Sequence, residues 1–75
     1  MSLFTSTVTN YNGNDDVVST GLTLEQAVLK VQRNIYGHDD AELVGSLITE
    51  RCIEKGRATF FCTMNTSQVE IKLEG

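Results

Sequence analysis

His38, Asp39 and Asp40 form the densest group of side chains able to move a proton or bind a metal. One imidazole and two carboxylates could hold a divalent cation if a further donor arrived from elsewhere. Consecutive residues rarely converge on one ion without a dedicated loop, however, and the spacing of a calcium-binding loop is absent. An aspartate pair ahead of Ala41-Glu42 is already explained as a helix start, where acids complement the dipole. Asn12-Gly13-Asn14-Asp15-Asp16 also offers oxygen-bearing side chains, but no acid follows where a calcium loop would need it. That stretch is expected to be a solvated turn. Cys52 and Cys62 would need an adjacent base to act as nucleophiles, and His38 is the sole histidine. Two cysteines at this spacing make neither a zinc signature nor the disulfide framework of a secreted miniprotein. They are expected as buried thiols in a reducing cytoplasm. Gly37, Gly45 and Gly56 stand alone, form no phosphate-cradling loop, and are expected as helix stops or turns. No catalytic residue, metal or cofactor is therefore assigned, and the chain is not expected to be an enzyme.

Charge narrows the partners. The formal charge is −4, with six Lys and Arg among 75 residues, whereas nucleic acid is bound mainly by neutralising its phosphates. The cations are scattered at Lys30, Arg33, Arg51, Lys55, Arg57 and Lys72, so nucleic acid is an unfavoured partner. The alternative function is a small nucleic-acid-binding domain using Arg51, Lys55 and Arg57. With 40% apolar and 21% charged residues, the composition is that of a folded globular domain. No run approaches the roughly 20 apolar residues that cross a bilayer. No basic start leads into an apolar stretch, so a cytoplasmic location without a membrane partner is expected. Residues 1–75 make a single domain, in which 1–3 and 74–75 resemble tag remnants. A chain this short buries only roughly 60% of its unfolded surface. Its core is marginal, and a partner subunit would add stability.

The elements that must position these residues follow from periodicity. Phe4–Tyr11 is rich in β-branched and aromatic residues and is expected as a strand. Phe4 and Val8 lie on one side; Thr5, Thr7, Thr9 and Tyr11 lie on the other. Val17-Val18-Ser19-Thr20 could return as a short second strand before Gly21. Thr23-Leu24-Glu25-Gln26 matches a capping box. Leu24, Val28, Val31 and Ile35, flanked by Ala27, recur at helical spacing, predicting a helix over 23–36 that ends at Gly37. Residues 39–55 contain the doublets Leu43-Val44 and Leu47-Ile48 four apart, which a half-buried alternating strand would not show. A second helix is predicted there. The alternative makes 42–53 a strand, with Glu54–Arg57 turning a hairpin, and leaves one helix on a four- or five-stranded antiparallel sheet. The segments 58–64 and 68–73 alternate strictly. A two-residue connection at Asn65-Thr66 would set Cys62 opposite Val69, Phe60 opposite Ile71 and Ala58 opposite Leu73. The fold class is α+β: a small antiparallel sheet of the N-terminal strand and the C-terminal hairpin, packed by two helices.

In topology alone, strand–helix–helix–strand–strand is similar to the KH RNA-binding fold. Its Gly-x-x-Gly loop would fall at Gly37-His38-Asp39-Asp40, where the second glycine is missing and two acids stand instead, so the chain is not assigned to that family. A winged helix would need a basic recognition helix, which is also absent. The positive signal is a surface. With the first strand beside the hairpin, one sheet face carries Thr5, Thr7, Thr9, Tyr11, Thr59, Phe61 and Thr63. It is too polar for a core and too uncharged for a plain solvated face, unless Tyr11 simply covers Phe61. Leu29 and Tyr36 lie together off the buried stripe of the first helix. Candidate interaction residues are thus Phe61, Tyr11, Thr59, Thr63, Leu29 and Tyr36. The first strand's edge is a further candidate. The expected function is a non-enzymatic interaction module or accessory protein of bacterial or phage type, acting as a homodimer. Phe60, by contrast, should face the core, so Phe60→Ser should cost about 3–5 kcal/mol.

Overall fold

The computed structural model describes residues 2–34, 40–63 and 66–74. Elements follow in the order β1 (Phe4–Asn10), β2 (Val17–Leu22), α1 (Leu24–Arg33), α2 (Ala41–Lys55), β3 (Arg57–Cys62) and β4 (Ser67–Leu73). The fold is α+β, with four antiparallel strands in one sheet ordered β2-β1-β4-β3. Residues 42–53 belong to α2, so the single-helix alternative does not hold. β1 pairs with β2 and β4 on its two sides. The candidate interface at a free edge of β1 is therefore wrong, and β2 and β3 are the edges.

Local chemistry explains where the helices begin and end. The Thr23 hydroxyl accepts from the Gln26 N–H at 3.2 Å, and Gln26 Oε1 accepts from the Thr23 N–H at 3.0 Å. This is the reciprocal capping box. Asp40 caps α2 by accepting from the Leu43 N–H at 3.1 Å. Gly56 closes α2 with a left-handed φ of 72°, a conformation open to glycine at little cost. The Gly56 N–H donates to Cys52 O at 2.9 Å, while its own carbonyl accepts from the Leu73 N–H at 2.7 Å. One residue thus ends the helix and opens the sheet ladder. α1 ends at Arg33, short of the predicted end at residue 36: Asn34 caps it, its N–H donating to Val31 O at 3.0 Å, and Gly37 itself lies outside the described residues.

Both helices pack on the same sheet face. The core joins Phe4, Ala58, Val69 and Ile71 of the sheet to Ala27, Val31, Ile48 and Cys52 of the helices. Ala27 and Val31 are fully buried, whereas Leu24 and Val28 are only half-buried. The buried line of α1 is accordingly turned away from the expected Leu24–Val28 stripe. The small Ala27 lets the helix sit close to the sheet, and Val28 faces α2. Gly45 of α2 is neither stop nor turn; it is buried mid-helix where α2 crosses α1. A Cβ there would collide with the Gln32 amide, which donates to Ala41 O at 3.0 Å and ties the two helices together.

The hairpin register differs from expectation. Ala58 pairs with Ile71, Phe60 with Val69 and Cys62 with Ser67, a slip of two positions. An even slip preserves the faces: Ala58, Cys62, Val69 and Ile71 are buried, Phe60 is half-buried and Phe61 is exposed. Residues 63–66 separate the strands. Thr66 adopts a left-handed φ of 52° and its carbonyl accepts from the Tyr11 N–H at 2.9 Å; Asn65 lies outside the described residues. Cys52 and Cys62 are buried and not disulfide-linked. Leu3 and Glu74 are bonded into the fold, with the Glu74 N–H donating to Leu3 O at 2.9 Å.

Candidate interaction surface

With both helices on one side, the opposite sheet face has no covering element among the described residues. The strand registers lay out its rows. Thr5, Lys72 and Arg57 form one. Val18, Thr7, Glu70 and Thr59 form the next, followed by Thr9, Gln68 and Phe61. Tyr11 continues beyond, and its ring centroid lies 6.2 Å from that of Phe61, with the planes tilted by 40°. That is within the range of favourable aromatic pairs. Yet Tyr11 remains 59% exposed and Phe61 46% exposed, so the contact leaves both residues substantially in solvent. Thr59 and Thr63 flank Phe61 and are exposed.

The candidate residues do not form one surface. Tyr11, Thr59, Phe61 and Thr63 belong to the sheet side. Leu29, also exposed, sits on α1 in the other layer, and Tyr36 lies outside the described residues. Exposed apolar residues that sequence reasoning missed include Val18 on the sheet face and Leu43, Leu47 and Ile53 on α2. The signal for α2 was present in its doublets. A helix turns about 100° per residue, so only one member of each pair can point to the core. Val44 and Ile48 turn inward, leaving Leu43 and Leu47 outside.

The predicted basic patch is also altered. Arg51, Lys55 and Arg57 do gather, along the depression between α2 and β3, but Glu50, Glu54 and Glu70 line the same depression. The cations therefore share their surface with as many carboxylates.

Several of the residues considered for chemistry serve structural roles. Asp40 caps α2, while His38 and Asp39 lie outside the described residues. In the turn at 12–16, Asp16 Oδ1 accepts from the Asn10 N–H at 2.8 Å, and Asn12 Oδ1 accepts from the Asn14 N–H at 3.1 Å. These oxygens serve the turn's own backbone. Burial pushes the Cys52 thiol above its usual pKa, which disfavours the thiolate needed for attack. Among the described residues no three His, Cys, Asp or Glu side chains gather as a metal site, and no helix is long and apolar enough to cross a membrane.

Glu74 is the best-anchored polar residue of the face. Its Oε2 accepts from the Gly21 N–H at 2.7 Å and from the Thr5 hydroxyl at 2.8 Å. These bonds, the Gly21 amide first, hold its carboxyl below the usual range. Gly21 makes this possible at a bulge in the β1–β2 ladder, where its φ of 67° turns the amide out of register. No known family matches the chain, and neither a curated protein nor a solved structure shows significant similarity to it.

Proposed function

We propose that this chain is a non-enzymatic protein-interaction module that pairs with a second copy of itself through the uncovered sheet face. The observation carrying the reading is Phe61, a large aromatic left 46% exposed on a face without a covering helix. Aromatic residues are enriched at protein interfaces and dominate their energetics. Tyr11 supplies a second ring beside it and uncharged threonines lie around both, while the charges of the face, Arg57, Glu70 and Lys72, stand on the neighbouring rows. A small domain with a thin core also gains stability by association. The role is that of an accessory protein acting on other proteins by contact. A nucleic-acid partner has less support, because Arg51, Lys55 and Arg57 share their surface with three carboxylates.

Sedimentation over a concentration series tests the reading. The wild-type chain should sediment as a dimer, and Phe61→Ser should shift it towards monomer while far-ultraviolet circular dichroism stays native. Phe60→Ser should instead cost about 2–3 kcal/mol of stability, below a full core truncation because Phe60 is only half-buried. A wild-type chain that is monomeric at every concentration would refute the proposal.

A further inference from the structure

We infer that the second copy docks at the β3 edge of the sheet and not on its open face: β3 of each chain pairs antiparallel across a two-fold axis at Thr59, joining two sheets into one of eight strands. The inference rests on the self-association proposed above and moves its seam from the face to the edge beside Phe61. β3 is the last strand of the sheet and hydrogen-bonds only to β4. The Leu73 N–H bonds the Gly56 carbonyl, in register with the β3–β4 ladder. Because backbone polar groups alternate between the two edges of a strand, the N–H and C=O groups of Arg57, Thr59 and Phe61 point away from β4. Edges of this kind are templates for pairing, and monomers blunt them with bulges, prolines or charges. β2, the opposite edge, is blunted: its ladder shifts at the bulge, where Gly21 turns its amide to Glu74. β3 runs in unbroken register without a bulge, contains no proline and carries one charge, Arg57, at its start.

Three features select a second copy as the occupant. An axis at Thr59 centres the pairing within the strand, so Arg57 of one chain lies opposite Phe61 of the other on the outer face. A guanidinium over a ring is a favourable pair. On the helix side, Leu47 lines the same depression as Ala58 and Thr59, with Leu43 one turn earlier. Both are exposed, at 45% and 57%, and two such α2 flanks would meet above the joined strands. Finally, the depression carries three of the chain's six basic residues and three of its ten acidic ones. It is therefore neutral in a chain of net charge −4, and a neutral surface of mixed sign can face its own copy without repulsion. Nucleic acid would meet those carboxylates instead.

The test combines sedimentation with amide exchange on the intact chain. Thr59→Pro removes an N–H that points away from β4, and Leu47→Glu places a charge on the α2 flank. Each should raise the dimer dissociation constant by about tenfold or more, with native circular dichroism. Exchange at the Arg57, Thr59 and Phe61 amides should slow as concentration rises. If Thr59→Pro does not fold, Leu47→Glu and the exchange decide. A dimer that survives both substitutions yet dissociates with Phe61→Ser overturns edge pairing and leaves association through the open face standing. Exchange at those amides that is independent of concentration in a dimer overturns it likewise. A monomeric chain overturns both proposals, as would a monomer that binds oligonucleotide with steep salt dependence.

Discussion

Ser6 and Ser67 are the two buried polar side chains among the described residues, and their situations differ. The Asn34 amide donates to Ser67 Oγ at 2.7 Å. Ser6 Oγ is buried with no hydrogen-bonding partner among the described residues. A buried hydroxyl without a partner loses its hydration for nothing. Ser6→Ala should therefore raise stability by about 1 kcal/mol in denaturant titration, since it deletes the hydroxyl and little volume. Glu74 shows the opposite economy, an exposed carboxylate fixed by two donors. Its folded pKa is depressed, so the stability it contributes is present above the unfolded value and fades as pH falls through the folded one. Stability should decline as pH drops below about 4.5, the ordinary glutamate value. Glu74→Gln should flatten that limb of a urea-midpoint-versus-pH curve.

The helix pair depends on one absent side chain. Gly45 costs α2 roughly 1 kcal/mol of helix propensity relative to alanine, yet it occupies the point where Gln32 reaches across from α1. Gly45→Ala should thus fail to gain that roughly 1 kcal/mol, because the Gln32 amide must leave its bond to Ala41 O, a loss of about the same size. In a Gln32→Ala background the same substitution should stabilise, a non-additivity that a double-mutant cycle of thermal melts will read directly. The apolar surface of α2 follows from its sequence in the same way. Paired apolar residues four apart must place one member outward, and Leu43 and Leu47 occupy that flank.

For the whole molecule, the decisive asymmetry is that two helices cover one face of a four-stranded sheet, while the other has no covering element among the described residues. β1 and β4 lie at the centre, β2 ends in a bulge, and β3 presents a regular edge beside the α2 flank. A dimer assembled on these surfaces ties stability to concentration by mass action. The melting temperature should accordingly rise as protein concentration increases from the micromolar to the millimolar range. A melting temperature that stays constant over that range would mean a monomer.

Alternation and capping were legible in the chain itself. Period two in the segments containing Phe60, Phe61, Val69 and Ile71 determined which side chains share a face, and Thr23, Asp40 and Gly56 marked helix boundaries through bonds made within a few residues. The exact pairing was not legible, because a shift of two positions satisfies the same alternation, and the connection at 63–66 decides between them. Nor could the chain reveal which strand of the hairpin β1 joins, since its pairing with β4 links residues 57 to 69 positions apart. Gly45 and the neutrality of the Arg51–Arg57 surface belong to the same class. Each depends on what a neighbouring element brings to within a few ångströms, and only the packed structure sets that distance.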